Sequence, residues 1–136
     1  MSRALSSKIV AANEALITRN DLNAVGEFFT SDYAVHLTRQ RMALGHDGVR
    51  RILRMYRRAF PDLQIEVEIL VSAKDRVAWQ RTFRATHKGV FRGFPATGRR
   101  IVWRDMVSSH FRDGLIAEDW LISDLAERLL LARKKR

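Results

Sequence analysis

Four acidic residues, Asp105, Glu118, Asp119 and Asp124, lie on two consecutive segments whose apolar residues alternate. Period-two alternation sorts side chains between the faces of a strand. On 101–111, one face carries Ile101, Trp103, Asp105, Val107, Ser109 and Phe111, so Asp105 sits among apolar neighbours. A buried carboxylate is costly unless paired, and its pKa tends to rise. A raised carboxylate pKa is what general acid/base chemistry near neutral pH requires. The competing reading is structural: Asp105 pairs with an arginine, such as Arg81 on the neighbouring segment, and only holds the sheet.

The last segment divides into Ala117, Asp119, Leu121 and Ser123 on one face and Glu118, Trp120, Ile122 and Asp124 on the other. Asp119 is thus a second candidate base. Asp124 is a third, with helix capping ahead of Leu125-Ala126-Glu127 as its structural alternative. His36, His46, His87 and His110 are widely spaced and show no metal-ligand spacing. His36 is placed to face a cavity, and His87 to orient a ligand carbonyl or anchor a loop. Trp103 and Trp120 suit a flat apolar ligand or, alternatively, a plain core. No glycine-rich phosphate loop or G-x-S-x-G elbow is present.

The elements that must position these groups follow from periodicity. Residues 4–18 read as a helix, with Leu5, Ile9, Ala12 and Leu16 on one stripe. Asp21 caps a short helix over 22–29, and a strand is expected over 33–37. Asp47 is the expected N-cap of a third helix, whose apolar stripe is Val49, Ile52, Leu53, Tyr56 and Phe60. Its outer face is filled by Arg50, Arg51, Arg54, Arg57 and Arg58, and Pro61 ends it. Strands follow over 63–71, 77–85, 101–111 and 115–123, with a loop over 89–98 and a hairpin turn at Asp113-Gly114. A helix over 125–133 closes the chain. Helices first and antiparallel strands after them make an α+β fold, in which 76–124 forms three antiparallel strands. A bent sheet wrapped on helices encloses a small-molecule pocket.

The 136 residues fit a single domain, and 46% hydrophobic residues supply a core. With no cysteine, disulfides and zinc-thiolate sites are excluded. No signal peptide or membrane span is read, so a cytoplasmic location is expected. The net charge is +10, from 25 Lys and Arg against 15 acids. A solvated basic surface explains it, as would an anionic ligand. Nucleic acid is the less favoured partner, because no recognition motif accompanies the basic tail Arg133, Lys134, Lys135 and Arg136.

The segment Thr86-His87-Lys88-Gly89-Val90-Phe91-Arg92-Gly93-Phe94-Pro95-Ala96-Thr97-Gly98-Arg99 resembles the T-H-x-G-x-x-x-G-x-P-x-T-G-R segment of the SnoaL-like polyketide cyclases. Asp113-Gly114-Leu115-Ile116-Ala117-Glu118-Asp119-Trp120, with Asp124, resembles that family's D-G-K-I-x-E-x-W-x-x-x-D ending. Phe60-Pro61-Asp62-Leu63 and Ser31-Asp32-Tyr33 fit as well.

The resemblance implies the cone-shaped nuclear-transport-factor-2-like fold, assembled as a homodimer or homotetramer. It also implies intramolecular aldol cyclisation of an aromatic polyketide, without metal or cofactor. In that chemistry a pocket carboxylate takes a proton beside a carbonyl, and the enolate attacks a second carbonyl. The family's catalytic aspartate position is Leu121 here. Its partner histidine falls at Asp119, a further pocket histidine at Val107 and a pocket glutamine at Asp105. The resemblance therefore leaves Asp105 or Asp119 as the base. A non-catalytic binding protein with the same pocket is the first alternative. An epoxide-opening enzyme using Arg81, Asp105 and Asp119 as an Asp-Arg-Asp set is another.

Overall fold

The computed structural model describes residues 2–134. The last two residues of the basic tail therefore lie outside the described residues. Strand β5, Arg100–Arg112, alternates buried and exposed side chains along almost its whole length. It pairs in antiparallel register with β4, Arg76–Thr86, on one side and β6, Leu115–Ser123, on the other. Asp113 and Gly114 both adopt left-handed backbone conformations, φ 54° and 78°, so the β5–β6 connection is the tight turn that an Asp-Gly pair favours.

These three strands are the middle of a larger sheet. β3, Gln64–Ala73, extends it beyond β4, while β1, Phe29–His36, and β2, Arg41–Ala43, extend it beyond β6. The order is β2-β1-β6-β5-β4-β3, and only the β1–β6 pairing is parallel. The result is a curved, unclosed mixed sheet.

Three helices pack on one face. α1, Ser2–Asn13, continues into a wider π-helical turn over Glu14–Thr18. α3, Gly45–Ala59, sends Val49 and its neighbours toward the sheet, and α4, Leu125–Lys134, buries Leu125 and Leu129. The aromatic part of the core lies under α3 and α4. There Trp103 stacks on Phe83 at 4.8 Å between ring centroids and meets Phe60 at 4.8 Å.

Several sequence expectations need correction. The segment expected as a helix over 22–29 is a 3-10 turn, Leu22–Ala24, followed by a single turn of α2, Val25–Phe28. Asp21 makes no side-chain cap there. β1 begins four residues before Tyr33, because Phe29 already pairs with Ile116 across a bulge. Asp47 is not the cap of α3 but lies in its first turn, bonded to Arg50 at 2.8 Å. Two arginines expected on the outer face of α3 also turn back onto backbone. Arg50 donates to the Leu22 carbonyl at 3.1 Å, and Arg57 donates to the Ile17 carbonyl. Part of the basic excess is thus structural, tying α3 to backbone carbonyls of the preceding short turns. Among the described residues no helix is long and apolar enough to cross a membrane.

Candidate functional site

Between the helices and the concave face of the sheet lies a cavity of 340 Å³. That is at the lower end of the range of small-molecule pockets, about 300–1,000 Å³. Its walls are mainly apolar. Ile9 and Leu16 come from the first helix, Leu53 and Tyr56 from α3, and Trp79 and Leu121 from the sheet. The polar groups on the wall are few, and they include a carboxylate buried deep in the fold, Asp119, and a partly buried guanidinium, Arg81.

Arg81 is fixed by its surroundings. It faces Asp105 in register across β4 and β5, and its Nε donates to Asp105 Oδ2 at 2.9 Å. Its Nη1 donates to Asn13 Oδ1 at 3.1 Å. Asn13 is held in turn by a bond from its Nδ2 to the Ile9 carbonyl, 2.9 Å, at the end of α1. Burial alone would weaken the guanidinium's charge, but the adjacent Asp105 carboxylate, together with Tyr56 and Asp119, raises the Arg81 pKa on balance. Arg81 therefore stays cationic, and its Nη2 makes no hydrogen bond within the described residues.

Asp119 is only 7% exposed. Its Oδ2 accepts from the Tyr33 hydroxyl at 2.6 Å and its Oδ1 from the Ser109 hydroxyl at 2.5 Å. Ser109 Oγ also accepts from Trp79 Nε1 at 2.9 Å. Burial raises the Asp119 pKa above the ordinary carboxylate value, against the opposing pull of Ser109, Tyr33 and the charge of Arg81. No ion pair joins Arg81 to Asp119. The cation influences the carboxylate electrostatically without touching it.

The remaining sequence candidates lie elsewhere. Asp105 is 1% exposed and does not line the cavity; its charge is met by Arg81, which matches the structural reading of that residue. Asp124 closes the corner between β6 and α4, accepting from the Arg104 amide at 2.8 Å and from Arg128 Nε at 3.2 Å. Trp103 is core. His87 is fully buried, and its ring Nδ1 meets Thr97 while its backbone bonds Arg99 and Gly98, so it anchors the loop over 88–99. Phe91, Arg92 and Phe94 of that loop line the cavity.

His36 and Trp120 sit on the opposite, convex face. Their rings stack at 4.5 Å and 3°, and His36 Nε2 lies 2.7 Å from Glu118 Oε2. Of the eight candidates, the structure brings only Arg81 and Asp119 to the cavity. Of the Arg81-Asp105-Asp119 set, Asp105 is behind the wall.

Two cavity residues escaped the sequence reading. Tyr33 shares the inward face of β1 with Val35, and its contact with Asp119 comes only from the pairing of β1 with β6. Asn13 lies four residues after Ile9 on the helix stripe; a polar residue on an apolar stripe was the available signal. Among the described residues no group of three acidic, histidine or cysteine side chains is arranged to hold a metal ion.

The family model of SnoaL-like polyketide cyclases matches residues 7–130. The chain belongs to the SnoaL-like polyketide cyclase family. Solved structures agree on the fold. The chain superimposes with a TM-score of 0.86 on a protein of Jannaschia sp. CCS1 provisionally assigned to the same family, at 18% identity over 100% of this chain and 96% of that one. IdmH of Streptomyces antibioticus, provisionally a polyketide cyclase, gives 0.78 at 28% identity, covering 96% of this chain and 99% of IdmH. AclR of Streptomyces galilaeus, provisionally a hydroxylase, gives 0.77 at 29%, covering 99% of this chain and 86% of AclR. No curated protein matches the chain in sequence. Leu121 stands in the cavity wall next to Asp119 along the same strand face.

Proposed function

We propose that the protein catalyses an enolisation-driven ring closure of a small aromatic or polyketide-like molecule, with Asp119 as the site's proton acceptor and Arg81 as the cation that stabilises the enolate oxygen. The observation that carries this reading is the pairing, in one apolar cavity, of a carboxylate whose pKa burial raises and a guanidinium with a donor to spare. A proton leaves carbon beside a carbonyl, and the charge that develops on oxygen is met by a cation already fixed in place. Attack of the enolate on a second carbonyl forms the carbon–carbon bond, and the proton returns to the new alkoxide. No electron is gained or lost, so the reaction needs no redox partner.

The test is turnover of aromatic polyketide methyl esters, followed by mass spectrometry. Asp119→Asn is expected to lower turnover by roughly 10²–10⁴-fold, the usual worth of a positioned acid/base group. Turnover equal to wild type would remove Asp119 from the chemistry.

Leu121 favours a second reading. An aliphatic side chain stands in the cavity where the resemblance expects the family's acid, which fits a pocket that binds without reacting. That reading predicts saturable binding of the same esters with no product.

A further inference from the structure

The proposed proton acceptor has little open access to a ligand. Asp119 Oδ1 points to Ser109, a fully buried side chain that does not line the cavity. The other oxygen, Oδ2, is engaged by Tyr33. Tyr33 lines the cavity, on β1, and its strand is the parallel neighbour of β6, with Val35 opposite Asp119. The Tyr33 side chain therefore faces the same space as the ligand while its hydroxyl proton lies on a 2.6 Å bond to the carboxylate.

We infer that Tyr33 is the catalytic residue that exchanges the proton with the ligand's carbon, relaying it to Asp119, which acts as a positioning and proton-storing residue behind it. This rests on the acid/base reading of the cavity and adds the identity of the group that touches the substrate.

The step balances. The substrate C–H bond breaks and its proton moves to the phenol oxygen, while the phenol's own proton moves to Asp119 Oδ2. Negative charge passes from Asp119 to the enolate oxygen, where Arg81 faces it. Ring closure reverses the relay: Tyr33 returns a proton to the alkoxide and recovers one from Asp119. A free phenolate never forms, which fits its environment. Burial and the adjacent Asp119 carboxylate hold the Tyr33 pKa well above the ordinary phenol value. Ser109 and Trp79 complete the chain from behind, at 2.5 and 2.9 Å, and keep Oδ1 occupied throughout.

The experiment measures deuterium exchange at the acidic carbon of 2-tetralone in D2O by proton NMR, with binding of 2-tetralone measured in parallel. The wild-type protein is expected to accelerate exchange. Tyr33→Phe is expected to lose it by at least about a hundredfold with binding kept, since the change deletes one hydroxyl and no packing. A second variant guards against misfolding. In Tyr33→Ala, added p-cresol is expected to restore part of the exchange, whereas toluene, of the same shape without the hydroxyl, is not.

Exchange by Tyr33→Phe at the wild-type rate, with Asp119→Asn inactive, would overturn the relay and leave Asp119 as a direct base. Equal recovery with p-cresol and toluene would do the same. Wild-type protein that binds 2-tetralone without accelerating exchange would overturn the relay together with the acid/base reading.

Discussion

Arg81 and Asp105 are register partners on β4 and β5, joined by a 2.9 Å bond between Nε and Oδ2. This pair forms the floor of the cavity's electrostatics: it brings one cation to an apolar wall and hides the counter-charge behind it. Removing one partner of a buried pair leaves the other charge uncompensated, at a cost of about 3–5 kcal/mol. Asp105→Ala is therefore expected to lower the urea midpoint sharply. The double variant Arg81→Met/Asp105→Leu is expected to recover most of that loss, because two apolar side chains replace a desolvated pair. A double variant as unstable as Asp105→Ala would show that the pair's geometry, and not the orphaned charge, sets the cost.

The convex face of the sheet predicts an assembly. Met106 and Ile122 are cross-strand partners there, 52% and 70% exposed, with Val102 and the Trp120 ring on the same face. An exposed apolar patch of this kind marks an interaction site, and self-complementary surfaces form two-fold dimers. A homodimer through this face is the expected outcome. Sedimentation velocity is expected to give a dimer for wild type and a monomer for Ile122→Glu, with the fold unchanged by circular dichroism. A monomeric wild-type protein at micromolar concentration would rule the dimer out.

Gly89 predicts a local packing defect. A Cβ there would lie 2.8 Å from the Arg58 carbonyl oxygen and 3.3 Å from Ala59 Cα, both backbone atoms that cannot swing away. The Gly89 amide also donates to the Ala59 carbonyl at 3.1 Å. This close approach seats the loop that carries Phe91, whose ring meets Tyr56 at 5.1 Å on the cavity wall. Gly89→Ala is expected to cost about 1–3 kcal/mol through overpacking. Ligand binding is expected to weaken with it, because Phe91 moves with the loop. A thermal midpoint equal to wild type would show that the loop can shift without loss.

The strands were legible in the sequence because period two survives in long elements, and β4, β5 and β6 are long. Strand parity also put Asp105 on the apolar face of its strand and separated Asp119 from Trp120 and Asp124 on the next. What parity cannot give is which face a cavity occupies, since both carry apolar residues. Parity alone therefore suggests Trp120 and His36 as ligand contacts, although they stack on the convex side. The three-residue β2 is too short to show a period, and a π turn has no sequence signature distinct from the helix it continues. Tyr33 was hidden for a related reason. Its role depends on parallel pairing between β1 and β6, a contact across 86 residues of chain that local patterns do not encode.

Asp119 makes a pH prediction whose sign follows from its raised pKa. In the unfolded chain the carboxyl titrates near its ordinary value of 3.8. The folded state holds the proton to higher pH, so in the interval between the two values it binds more protons than the unfolded state. Stability contributed by this group therefore falls as pH rises through that interval and stays reduced above it. Asp62 and Glu118, lowered by hydrogen bonds from Thr86 and His36, act in the opposite sense, losing stability as pH falls. Their effect is common to wild type and variant, and it cancels in a difference. The thermal midpoint of Asp119→Asn minus that of wild type is accordingly expected to be more positive at pH 8 than at pH 4, in matched buffers of one ionic strength. A difference that is flat between the two pH values, or that runs the other way, would mean that the hydrogen bonds from Tyr33 and Ser109 offset the burial of the charge. In that case Asp119 would be an ordinary ionised carboxylate with no stored proton affinity to use.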